Sequence, residues 1–209
     1  SIMALALCLR AQLLTCTPSF PEENNPAQTL VITVDANKGN KGLLNYTPTS
    51  DVYVHLGVIT NLSTGASDWK YVKFNQSFSQ PKPELQATSI SGNKWTFTIN
   101  GSLKNYFGVP AGETIQKIAI LFRSGNGTRK QANTDNSDMY IPVYSTDLAV
   151  RLVEPPMQPL FNPLPETPTI AVGAHTFKIA VNKHANVTLD AGNGTVQTQA
   201  VTSDHTFSV

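Results

Sequence analysis

Charge is scarce in this chain. Asp, Glu, Lys and Arg make up only 14% of 209 residues and leave a net charge of +1. Without a basic stripe there is nothing to attract a phosphate backbone, so nucleic acid is excluded as a partner. Cysteine is rarer still, with Cys8 and Cys16 alone. No Cys pair and no cluster of His ligands suggests zinc. No apolar run approaches the ~20 residues that a membrane-spanning helix needs, so no transmembrane segment is expected. No stretch keeps helical periodicity for three turns. Catalytic signatures are missing as well. There is no Gly-X-Ser-X-Gly elbow and no glycine-rich phosphate loop, and the carboxylates of residues 29–153 are scattered over loops and strand ends rather than paired across a recognisable cleft.

What remains is a Thr-, Asn- and Ser-rich chain with 13 Gly and 14 Pro, a composition that fits an extracellular β-protein. Residues 2–9 form a short apolar run before Arg10-Ala11. It reads as the core of a signal peptide lacking its basic start, with cleavage after Ala11. Residues 1–11 are therefore assigned to a signal-peptide remnant and residues 12–28 to a polar leader. A lipoprotein reading through Leu13-Leu14-Thr15-Cys16 is the alternative. Either way the expected location is secreted, cell-surface or periplasmic. Seven Asn-X-Ser/Thr sequons occur, among them Asn61, Asn100 and Asn126; in a eukaryotic secreted protein some would carry glycans.

Seven β-like segments follow. Residues 29–36 are β-branched, and 37–42 carry turn residues. In residues 51–60, Val52, Val54 and Leu56 alternate with Tyr53, His55 and Gly57, so one face is aliphatic and the other carries an aromatic ring and an imidazole. Residues 69–74 alternate apolar side chains with Lys. Trp95, Phe97 and Ile99 oppose Thr96 and Thr98, the pattern of a half-buried antiparallel strand. Residues 103–107 suggest one helical turn. Residues 116–123 are apolar almost throughout, and 139–143 and 148–153 complete the series. Seven short strands predict an all-β, antiparallel, immunoglobulin-like β-sandwich over residues 29–153. Six prolines in residues 154–168 predict an extended, semi-rigid linker. Strand patterns resume in 169–209, with a turn at Asn193-Gly194, which suggests a truncated second immunoglobulin-like β-domain.

Binding is easier to argue than catalysis. Aromatic rings cover the flat C–H faces of sugars, while Asn, Asp and Lys reach the hydroxyl rims. Tyr53, His55 and Trp69 are the candidates. Trp95 and Phe97 read as core. Residues 133–138 alternate oxygen donors, making Asp135 and Asp138 candidate Ca²⁺ ligands, although the loop lacks the Gly and the terminal Glu of an EF-hand. Apart from possible Ca²⁺, no cofactor is expected.

The strings Ile32-Thr33-Val34-Asp35-Ala36-Asn37-Lys38-Gly39-Asn40-Lys41-Gly42, Asp51-Val52-Tyr53-Val54-His55-Leu56-Gly57-Val58-Ile59-Thr60 and Asp68-Trp69-Lys70-Tyr71-Val72 resemble the N-terminal module of secreted α-amylase-family (glycoside hydrolase family 13) proteins of Bacteroidetes. The later Phe107-Gly108-Val109-Pro110-Ala111-Gly112 and Ile118-Ala119-Ile120-Leu121-Phe122-Arg123 fit the same pattern, and the likeness covers residues 17–153. It implies a further immunoglobulin-like domain and then a catalytic (β/α)₈ barrel in the same polypeptide, the barrel being absent from this chain. More loosely, the chain resembles starch-binding modules of carbohydrate-binding families 25 and 26. That likeness places Tyr53, His55 and Trp69 at a glucan site, with Arg123 and Asn126 nearby. The loop at Gln131-Ala132-Asn133-Thr134 departs from it and puts a second aromatic platform in doubt. Three readings are carried forward: an accessory α-glucan-binding region, a ligand-free spacer or protein-interaction domain, and a fragment that lends residues to a cleft of the barrel.

Overall fold

The computed structural model describes residues 12–73, 78–166, 172–192 and 194–208. The signal-peptide remnant at 1–11, Phe74 at the end of the Trp69 segment and Asn193 of the expected turn lie outside the described residues. The chain is almost entirely β-structure in antiparallel sheets.

The first sheet grows from two alternating strands. β2 (Thr29–Asp35) pairs with β5 (Lys94–Asn100) so that Leu30 faces Ile99, Ile32 faces Phe97 and Val34 faces Trp95. All six side chains are buried, while Thr96 and Thr98 point the other way, as period-2 alternation requires. β4 (Thr88–Ile90) adds to the far edge of β5. β1 (Leu14–Thr17) adds to β2, with Leu14 opposite Val34 and Cys16 opposite Ile32. The segment read as a leader therefore contributes a strand. Leu13 and Leu14 supply the apolar surface that holds it, and both are buried in the main core.

The second sheet centres on β6 (Ile115–Ser124), paired along its length with β3 (Val52–Thr60). The opposite edge of β6 is shared. β7 (Lys130–Gln131) pairs with Phe122 and Arg123, and β8 (Met139–Pro142) with residues 117–120. Val52, Val54, Leu56, Ile118, Ile120 and Phe122 are all fully buried and meet Trp95 and Ile99 of the first sheet in one core. The two sheets thus form a β-sandwich. α1 (Leu103–Phe107) is the single helical turn expected from the sequence. Ser102 caps its start by accepting from the Asn105 N–H, and Gly108, at φ 77°, takes the left-handed C-terminal position.

Two segments depart from the sequence reading. The first is residues 69–73, expected as a full strand. Lys70 exchanges both backbone hydrogen bonds with Val58 (2.8 and 2.9 Å), but Tyr71 takes φ 51° and breaks the ladder. That turn sends the Tyr71 hydroxyl to Glu113 Oε2 at 2.5 Å, while the Thr60 hydroxyl donates to Oε1. These two bonds hold the buried Glu113 carboxyl below its ordinary 4.5. A depressed folded-state pKa adds stability above the unfolded value, and that stability is lost as pH falls through the folded one. Unfolding midpoints in urea should accordingly drop as pH falls below about 4.5. The drop should be smaller in Glu113→Gln; an identical profile in the variant would remove Glu113 from the account.

The second departure concerns residues 148–168. β9 (Val150–Glu154) was expected to close the sandwich; instead it pairs with β10 (Thr176–Val181), which also pairs with β13 (Asp204–Ser208). With β3 on one edge of β6 and β7 and β8 on the other, the second sheet offers β9 no place beside β6. Leu152 packs instead on a small cluster of Ile179, Val181, Val201 and Phe207. β11 (Ala185–Asp190) and β12 (Val196–Val201) form an antiparallel pair around the expected turn. The proline-rich stretch is also not extended. Gln158 N–H donates to Leu164 O (2.7 Å), Glu166 N–H to Pro156 O (2.8 Å), and Tyr140 N–H of β8 to Pro159 O (2.9 Å). Proline lacks an N–H but keeps its carbonyl, so such a strap can accept hydrogen bonds from its neighbours. Phe161 lies on Ile59, Ala119 and Tyr140 at the outer face of the second sheet.

Candidate functional site

The outer face of β3 and β6 carries the site. Val52, Val54 and Leu56 occupy the core, so Tyr53 and His55 point outward, both half-buried. Of the outward-facing positions of β6, Ala119 and Leu121 are apolar and buried, so this part of the face is covered rather than washed by solvent, with Lys117 and Arg123 at its two ends.

Trp69 is the main cover. The loop before it is closed by Asp68, whose carboxylate accepts from the Thr64 N–H (2.9 Å) and whose carbonyl accepts from the Ser63 hydroxyl (3.0 Å). The Lys70–Val58 backbone pair then fixes the next residue. The indole stacks on His55, with centroids 5.5 Å apart and planes 28° from parallel. Phe78 meets the other side of His55 edge-on at 5.4 Å. Tyr140 meets Trp69 edge-on at 6.4 Å and donates its hydroxyl to Ala66 O at 2.8 Å. His55, Trp69 and Phe78 line an open groove of about 500 Å³ together with Ser67, Val72, Leu121, Lys130 and Asp138.

The electrostatics are tuned by burial. Desolvation pushes the His55 pKa below 6.5 and Arg123 pushes it further, against Asp138. His55 is therefore neutral at pH 7 and backs the Trp69 indole without adding charge. Burial raises the Asp138 carboxyl, opposed by Lys130 and His55.

Arg123 does not reach this groove. It is 3% exposed, and its Nη1 donates to Ser124 O (2.9 Å) and Gly125 O (3.0 Å), its Nη2 to Gln80 O (2.6 Å). The guanidinium carbon lies 5.6 Å from the Tyr53 ring centre and 5.3 Å from that of Phe78. Arg123 is a post beneath two loops and two rings. Asn126 is exposed, but its Oδ1 closes the 124–128 turn by accepting from Ser124 Oγ, Thr128 N and Thr128 Oγ1. Of the five expected site residues, His55 and Trp69 line the groove; Tyr53, Arg123 and Asn126 sit outside its lining. Phe78, Lys130 and Asp138 join it, Asp138 having been read only as a Ca²⁺ candidate. The one sequence signal for this cover was Leu121, an apolar residue in an outward register.

In the loop at 133–138, Asp135 turns its carboxylate inward, while Asp138 faces the groove. Asp135 Oδ1 accepts from Ser137 N (3.0 Å) and Ser137 Oγ (2.6 Å), and these bonds hold the carboxyl below its ordinary value. Among the described residues, no three His, Cys, Asp or Glu side chains are grouped to hold a metal ion.

No protein-family model and no curated protein matches the chain. Fold and site together define the class: an antiparallel all-β sandwich with an aromatic groove on the outer face of one sheet. Among the described residues, no helix is long and apolar enough to cross a membrane.

Proposed function

We propose that the chain is the non-catalytic, α-glucan-binding N-terminal region of a secreted α-amylase-family protein whose catalytic barrel follows in the same polypeptide. The observation that carries the reading is the stacked His55–Trp69 pair in an open groove with Ser67, Asp138 and Lys130 beside it. Neutral stacked rings suit the apolar face of a pyranose, and the polar groups suit its hydroxyls. Stacking on one sugar is weak. Tethering to an enzyme makes weak binding useful, because the second encounter becomes intramolecular. The strand orders β1-β2-β5-β4 and β3-β6-β7 parallel the A-B-E-D and C-F-G sheets of immunoglobulin domains, which supports an immunoglobulin-like sandwich.

Affinity electrophoresis in gels with and without soluble starch tests the proposal. The chain should be retarded by starch, and Trp69→Ala should weaken binding by about two- to tenfold, the worth of one stacked aromatic. Unchanged mobility of the unmodified chain would instead favour the spacer reading.

A further inference from the structure

The groove does not end at Trp69. Past Ser67 and Asp138, which border both parts, it continues into a second open concavity of about 440 Å³. This second part is lined by Tyr140 and by Leu160, Phe161 and Asn162 of the proline-rich strap. The rings form one row: His55 to Trp69 at 5.5 Å, Trp69 to Tyr140 at 6.4 Å, and Tyr140 to Phe161 at 5.4 Å. The strap is held at its own end of the row. Pro159 O accepts from Tyr140 N (2.9 Å) and Asn133 Nδ2 (3.3 Å), and the Lys117 ammonium lies 4.4 Å from the Phe161 ring centre.

Tyr140 is buried, but His55, Trp69 and Phe161 are half-exposed, and the two joined concavities run further than a single pyranose reaches. Asn162 is exposed at one end of the groove, and Asp138 borders both parts. That alternation of flat apolar surface and polar edge is the chemistry of a linear oligosaccharide. We infer that the strap is part of the ligand site: residues 160–162 form a distal subsite, so the groove takes an oligosaccharide chain rather than a terminal sugar. This rests on the glucan-binding reading above. It also gives the proline-rich stretch a binding role in place of the expected spacing role, and it supplies the second aromatic platform that the loop at 131–134 lacks.

Titration calorimetry on the full chain with maltose and with maltoheptaose tests the inference. The chain should bind maltoheptaose more tightly than maltose. Phe161→Ala and, separately, the exposed Asn162→Ala should weaken maltoheptaose by about two- to tenfold and leave maltose unchanged, whereas Trp69→Ala should weaken both. Two results would overturn the distal subsite while leaving the proximal one standing: unchanged maltoheptaose affinity in both strap variants, or equal losses for both sugars. Binding of neither sugar by the unmodified chain would remove the glucan reading itself, and the distal subsite with it.

Discussion

Trp95→Ala should lower the free energy of unfolding by about 3–5 kcal/mol, the usual cost of emptying a core Trp site. Trp95 is 1% exposed, sits opposite Val34 in β2 and Ser89 in β4, and packs within the main core cluster. A Trp side chain buries roughly 150–250 Å², which at ~25 cal/mol per Å² is about 4–6 kcal/mol before any relaxation of the cavity. The substitution also removes the Nε1 bond to Thr49 O at 2.9 Å and leaves that carbonyl without its donor. Trp69 is the one other tryptophan, so its fluorescence reports unfolding of the variant in urea. A loss below about 1 kcal/mol would mean that the site collapses around the vacancy, contrary to close packing between two sheets.

Arg123→Met should cost about 3 kcal/mol, on the order of one or two hydrogen bonds to a charged donor. Three carbonyls, at Gln80, Ser124 and Gly125, lose their partner together. The loss stays below three full bonds because the variant no longer keeps a desolvated charge; burial already holds the Arg123 pKa below its ordinary value. Arg123→Lys should recover only part of the stability, because an ammonium cannot bridge Gln80 on one side and residues 124–125 on the other as the planar fork does. Phe78 rests on the guanidinium and meets His55 edge-on, so starch retardation should weaken along with stability. Paired urea melts and gel mobilities read both effects. Full stability in Arg123→Met would show that the carbonyls find other donors and that the post is dispensable.

Much of the sandwich was legible from residue order. The alternation of Trp95, Phe97 and Ile99 against Thr96 and Thr98 marks a strand with one buried face, and the structure buries that face. Residues 52–56 divide their two faces as their pattern states, because a pleat admits no other division. The helical turn expected at 103–107 forms and ends at Gly108. The stacking of His55 on Trp69 was only half legible. The outward direction of His55 follows from its strand, but the approach of Trp69 depends on how an irregular edge folds beside it.

Other features had no local signature. Leu13 and Leu14 look like the start of a polar leader until β2 offers the segment an edge. Residues 148–153 look like a last sandwich strand, but both edges of β6 are taken and 150–154 pair with β10. The likeness to starch-binding modules puts Arg123 near a glucan, and nothing nearby in sequence shows that Gln80 closes over it. Six prolines read as an extended spacer, yet Tyr140 and Asn133 capture the carbonyl of Pro159 from a distance. The β-class, the inward faces of the strands and the aromatic residues of the core follow from residue order, because a period of two and turn chemistry act between neighbours. Which strand edges stay free, which charge is buried and which loop covers the outer face depend on contacts between residues tens of positions apart, and these exist only in the folded chain.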